Sequence, residues 1–346
     1  MAKATINDVA ERAGVSIKTV SRVVNDEPNV RESTREKVEK AIAELKYRPN
    51  LSARNLASLR SHQVVLVYDD PSVYIAPSSV YIIRLQEGML NACKQTNCDL
   101  LIHPCNYRDA DVGDELRTFI ERSRPDGVVI APPLSNMKRI VDAIAQTSTP
   151  YVRIAPGKIN SREFYVTTND REVSAEMTRY LVSLGHARIG FIAGHSEHKA
   201  VADRLLGYKD GLKESGLEFD PKLVAFGDNS IGSGAAGADV LLDLPEPPTA
   251  IFAANDDMAA GVIRAANTRG IRIPEQLSVA GYDDSALAQQ IFPALTTVRQ
   301  PLKTMAESAA LALIGNNGDE PSESGPLTIP AELRVRDSTG PAPGSR

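Results

Sequence analysis

The first apolar positions of the chain, Ile6, Val9, Ala10 and Ala13, keep the i, i+3, i+4, i+7 spacing of one helical face. Thr5 stands before them and Asp8 three residues later, so a capping box is expected to open the helix. Gly14 supplies the left-handed residue that closes it. After Val15, Ser16 is placed to cap a second helix with Val20, Val23 and Val24 on its buried side. Val38, Ala41, Ile42 and Leu45 mark a third, opened by a Ser33–Glu36 capping box and stopped before Pro49. Two short helices around a tight glycine turn form a helix-turn-helix, here completed to three helices.

From residue 62 the pattern becomes short β-branched runs alternating with helical stretches. Val64–Tyr68, Leu100–His103, Gly127–Ile130 and Tyr151–Ile154 read as strands, with helices near Ile82–Thr96, Asp114–Arg122 and Lys138–Thr147. A second set follows at Arg188–Ala193, Leu223–Phe226, Ala250–Ala253 and Ser278–Tyr282. The fold class expected is α/β: a three-helix head on a body of two doubly wound parallel-sheet subdomains. Such halves leave a ligand crevice at the carboxyl ends of their strands.

Composition adds charge segregation. The 346 residues carry a net charge of −5, which read alone argues against nucleic acid. Residues 1–60 hold twelve Lys and Arg against eight Asp and Glu, a net of +4, while the remaining 286 hold 27 against 36, a net of −9. A basic head on an acidic body suits polyanion contact by the head. Cys93, Cys98 and Cys105 fit no zinc or CxxC spacing and are expected to be idle thiols in a reducing cytoplasm. No apolar run approaches a membrane span, and Met1–Thr5 opens no signal peptide, so a cytoplasmic location without membrane contact is expected. No GxGxxG after the first strand, Walker A run or GxSxG elbow points to an enzyme, and His195 and His198 lack a third metal ligand nearby. Neither cofactor nor metal is expected.

The exposed side of the second helix carries chemistry beyond packing. Lys18 and Arg22 can pair with guanine, Asn25 with adenine, and Ile17 can meet a thymine methyl, with Ser21 beside them. Ser16, Thr19 and Thr34 offer hydroxyls and helix-terminal amides to phosphates, and Thr5 is placed for the same contact. These residues lie within Thr5–Ala10, Ala13–Ser16, Thr19–Asn25 and Thr34–Val38, which closely resemble the lactose/galactose-repressor (LacI/GalR) family of bacterial transcription factors. The body resembles the same family in Leu184–His186, Ile189–Gly194, Ala254–Ala259, Val279–Asp284 and Leu295–Val298, so the likeness spans residues 4–338.

That resemblance implies domains at 1–48 (DNA-binding head), 49–61 (hinge helix), 62–340 (effector-binding and dimerisation core) and 341–346 (flexible tail). Asn50 can cap the hinge helix, with Ala53, Leu56 and Ala57 on one side; Asn50, Ala53 and Leu56 would contact DNA, Leu56 wedging into a minor-groove step. The body would resemble periplasmic sugar-binding proteins, with three crossovers at the waist. Arg204, at the start of the helix after Gly194–Val201, Asn255 and Asp283 match effector-contact positions, and Asp69 and Tyr74 are further candidates. Two departures stand out. Ala155 replaces an Asp of lactose repressor, and Gly227-Asp228-Asn229 lacks its aromatic, leaving Phe164 or Tyr74 as the stacking platform. The C-terminal stretch has no leucine heptad, so a homodimer is expected rather than a tetramer. The implied function is repression of carbohydrate-utilisation genes from a near-palindromic operator, relieved by a small sugar-type effector. A corepressor-dependent regulator is the alternative, with a sugar-binding protein or an enzyme more remote.

Overall fold

The structure, a computed structural model, describes residues 4–24, 30–47, 60–69, 79–157, 159, 163–195, 198–315 and 325–344. The chain divides into two compact units, Met1–Ser61 and His62–Arg346. In the first, α1 (Ile6–Ala13), α2 (Ile17–Val24) and α3 (Glu32–Leu45) enclose a small core. Val9, Val20 and Val38 are fully buried at its centre, each contributing roughly 2 kcal/mol of transfer free energy. The Thr5–Asp8 capping box forms: the Asp8 amide donates to Thr5 Oγ1 at 3.4 Å and the Thr5 amide to Asp8 Oδ2 at 2.7 Å. These bonds hold the Asp8 carboxyl below its ordinary pKa. Gly14 adopts φ 66 at the C-cap, the left-handed turn into α2. The third helix differs from expectation. It begins at Glu32 with Arg31 as N-cap and no side-chain cap, so Ser33 lies within the first turn and forms no capping box.

The body builds one parallel sheet in each subdomain and a separate two-stranded ladder. In the first subdomain, β1 (Gln63–Asp69), β2 (Asp99–Cys105), β3 (Gly127–Ile130), β4 (Tyr151–Ile154), β5 (Tyr165–Thr167) and β11 (Pro326–Thr328) form one parallel sheet in the order β11-β5-β4-β3-β1-β2. Val64, Val65, Leu66 and Val67 are fully buried, as a strand covered on both faces requires. Helices α4 (Ser79–Thr96) and α12 (Leu302–Gly315) accompany this sheet, together with α5 (Val112–Ser123) and α6 (Lys138–Ala145). The second subdomain has β6 (Ile189–Ala193), β7 (Val224–Phe226), β8 (Ala250–Ala253) and β9 (Ser278–Ala280) in the order β7-β6-β8-β9. Its helices are α7 (Asp170–Ser183), α8 (Lys199–Glu214), α9 (Ile231–Leu242), α10 (Asp256–Thr268) and α11 (Ala286–Gln290).

The chain passes between subdomains three times: after β5, after β10 (Thr297–Arg299), and between β11 and β12 (Glu332–Arg334). β10 and β12 pair antiparallel at this waist. The Gly281 and Asp283 amides donate to Thr296 and Val298 carbonyls at 2.9 and 2.8 Å, fastening the end of β9 to the β10 crossover. Ala342, where the sequence suggested a loose tail, is buried and its amide donates to the Leu184 carbonyl at 2.8 Å. Among the described residues no helix is long and apolar enough to cross a membrane, and no cluster of His, Cys, Asp or Glu is placed to hold a metal ion.

Candidate nucleic-acid interface and ligand crevice

On the head, the valines of α2 face inward, which leaves Ile17 and Lys18 exposed at its N-terminal end. Ser21 and Arg22 flank them, half-buried. Ser16 is exposed and caps the helix: its Oγ accepts from the Thr19 amide at 3.2 Å and lies 2.9 Å from Thr19 Oγ1. Thr5 is occupied in the same way by Asp8, so the hydroxyls chosen as phosphate anchors first stabilise helix ends. Thr34 sits half-buried in the first turn of α3. Asn25, Asn50, Ala53 and Leu56 lie outside the described residues, as does Tyr74.

In the body, close helix packing creates the buried polar centre. A Cβ on Gly207 would lie 2.1 Å from the Arg171 carbonyl oxygen, and one on Gly211 2.6 Å from Thr178 Cβ. The absence of side chains there lets α8 lie directly on α7, which brings Arg204 to Asp170. Arg204 lies in the second turn of α8 rather than at its start, because the helix begins at Lys199. Its Nε donates to Asp170 Oδ1 at 3.0 Å, its Nη1 donates to the Ala254 carbonyl, and its guanidinium stacks 3.7 Å from the Tyr282 ring centroid. The Tyr282 hydroxyl donates to the same Asp170 oxygen at 2.8 Å. Arg204 and Asp170 are 6% and 4% exposed, so two opposite charges neutralise each other in a dry setting.

Asn255 and Asp283 complete this wall from the ends of β8 and β9. Asn255 caps α10 by accepting from the Met258 amide at 2.9 Å, and its Nδ2 donates to the Asn229 carbonyl at 2.9 Å. Asp283 Oδ1 accepts from Gln300 Nε2 and stands 4.0 Å from Arg204 Nη1. Burial pushes Asp283 up to about 7, with Arg204 and the Gln300 bond pulling the other way. Asp256, 1% exposed, is pushed up by burial and by Asp283, while accepting bonds from Thr297 Oγ1 and the Ser285 amide. A cavity of about 340 Å³ adjoins Asp283 and Gln300, and Tyr81 of α4 lines it from the first subdomain. Enclosure raises the Tyr81 phenol pKa, and Arg204, Asp283 and Asp170 all act on it electrostatically.

Arg204, Asn255 and Asp283 are therefore brought together at the carboxyl ends of the second sheet. Asp69 stands apart, at the carboxyl end of β1 in the first. Phe164 is 7% exposed and packs into the first subdomain's core, which leaves it no face for stacking on a ligand. The structure adds Asp170, Tyr282, Tyr81 and Gln300, which pattern reading did not single out. Gln300 directly follows β10, so the rule that polar residues past strand ends face the crevice would have found it.

The chain matches the model of bacterial regulatory proteins of the lacI family over residues 5–50 and that of the periplasmic binding protein-like domain over residues 178–339. It is 33% identical to the HTH-type transcriptional regulator DegA of Bacillus subtilis over 344 residues, which covers 98% of this chain and 99% of that one. A solved structure of a CelR–cellobiose complex is 31% identical with a TM-score of 0.74, covering 97% of this chain and 99% of that one. The lac repressor dimer bound to operator and the anti-inducer ONPF is 27% identical with a TM-score of 0.80, covering 98% and 100%. A helix-turn-helix head, a two-subdomain crevice body and this likeness along both place the chain in the LacI family as a DNA-binding transcriptional regulator.

Proposed function

We propose that the protein is a homodimeric repressor whose two heads read the halves of a near-palindromic operator, and that a sugar-type ligand in the body crevice releases it. The observation that carries the effector half is the buried Asp170–Arg204–Tyr282 network behind Asn255 and Asp283. It fixes polar groups against apolar walls, as recognition of a hydroxyl-rich small molecule requires. The cellobiose complex of CelR and the operator complex of lac repressor support the reading.

On the DNA side, Lys18, Arg22 and Ile17 are the proposed base readers of α2, with Asn25 following them in sequence. Two-fold pairing of heads matches two half-sites. Control needs a ligand that prefers one subdomain arrangement, and it shifts operator affinity only by that preference. Titrating operator binding against a panel of sugars tests the reading. Ligand-induced release is expected. Tightening of operator binding by the ligand would exclude induction and establish a corepressor.

A further inference from the structure

The cavity beside Asp283 continues outward from the neutral wall into a differently charged rim. Its lining joins three elements: Tyr81 and Arg84 on α4, Arg299 and Gln300 on the second crossover, and Lys303 at the start of α12. Lys303 is exposed, and Arg84 is half-exposed, with a 3.2 Å contact to Glu87 on its own helix. Arg299 pairs with Asp284, which also receives Arg336. Burial opposes the charge on Asp284, yet those two guanidiniums hold its pKa below the ordinary value. Asp283, by contrast, is drawn toward its neutral form by burial. Along the cavity, Arg84, Arg299 and Lys303 thus stand against Asp284, which Arg299 and Arg336 both engage. The first amides of the 14-residue α12 add positive potential, since a helix leaves them without intrahelical acceptors.

Deeper in, Arg204 is matched by Asp170, so the inner wall is close to neutral. One cavity therefore offers hydroxyl recognition at Asp283 and Gln300 and an excess of cations at Arg84, Arg299 and Lys303. Resting on the reading of the crevice as the effector site, we infer that the effector is an anionic sugar, its hydroxyls on the inner wall and its phosphate or carboxylate at the Arg84–Arg299–Lys303 rim. The rim cavity, about 340 Å³, lies within the size range of small-ligand pockets.

The test uses the full-length protein in calorimetric titrations with neutral mono- and disaccharides, their 6-phosphates, the matching uronates and inorganic phosphate alone. The expected result is at least about tenfold tighter binding of one anionic form than of its neutral parent, an advantage of about 1.4 kcal/mol. Arg84→Ala/Lys303→Ala should reduce that advantage to below about threefold, as should high salt, while operator affinity and thermal stability stay unchanged. Phosphate and uronate arms tell the two anions apart. Equal affinity for neutral and anionic forms, or an advantage that survives the double variant, overturns the inference and leaves the effector reading standing. Inorganic phosphate that binds without competing with any sugar also overturns it. Failure of every sugar to bind, neutral or anionic, removes the effector reading itself.

Discussion

Arg204→Met is the most informative single change, because it separates architecture from recognition. Methionine keeps much of the side-chain volume but strips Asp170 of its buried cation and Ala254 of a donor. Both charged residues are almost fully buried, so the loss is that of breaking a buried pair, about 3–5 kcal/mol, with the stack on Tyr282 included rather than added. At roughly 2–3 °C per kcal/mol for a domain of this size, the body should melt about 6–15 °C lower by calorimetry. The uncompensated Asp170 charge causes most of this. Asp170→Asn on the same background removes that charge while keeping an acceptor for the Tyr282 hydroxyl, so the double variant should recover about 1–3 kcal/mol. Ligand binding should stay weak in both. A double variant no more stable than Arg204→Met would refute the charge argument, and an unchanged melting temperature for the single variant would refute the network.

Gly207→Ala places a Cβ 2.1 Å from the Arg171 carbonyl and should cost about 1–3 kcal/mol or more by forcing α8 off α7; a neutral effect in urea denaturation would contradict the close approach. Asp256→Asn should flatten the pH dependence of stability. A carboxyl raised from 3.8 to about 8 on folding loses stability as pH climbs between those values, so the variant's melting temperature should overtake that of the wild type progressively from pH 5 to 8. A difference that is constant with pH would assign the proton elsewhere. Thr5→Ala should destabilise the head by about 1 kcal/mol through its cap, lowering operator affinity without changing ligand affinity in the body. Leu56→Ala should weaken specific operator binding and spare the effector; unchanged operator affinity would remove the proposed wedge.

The head is legible in its sequence because each helix carries its own apolar stripe, and α1 and α2 carry local caps as well. The exception is the start of α3, where the helix begins at Glu32, one residue ahead of an attractive but unused Ser33. In the body, β3 and β8 match the expected boundaries because buried parallel strands read as unbroken apolar runs, and β4 matches although Arg153 interrupts its run. β5, β10, β11 and β12 escape notice. Each is three residues long, and each pairs with a strand far away in the chain, β5 with the nearby β4 as well. Asp170 escapes with them. It follows β5, and its role depends on a helix contact made possible by Gly207 and on an arginine 34 residues later. Phe164 misleads for the complementary reason: apolar character near a crevice does not say which side of the wall a ring will occupy.

The threefold passage through the waist also governs how the protein is made. The sheet of the first subdomain is completed only by Pro326–Thr328, and its covering helix by Leu302–Gly315, both far downstream of the strands they join. A ribosome adding about 5–20 residues per second therefore finishes the head many seconds before the first body sheet can close. Until then Val64 and Leu66 lack the cover of α12 and β5 lacks its edge partner β11, an aggregation-prone interval that calls for shielding of the nascent chain. Splitting the body at residue 168 would yield a first half that cannot complete its own sheet, so chimeras that exchange sensing modules must carry residues 62–340 together.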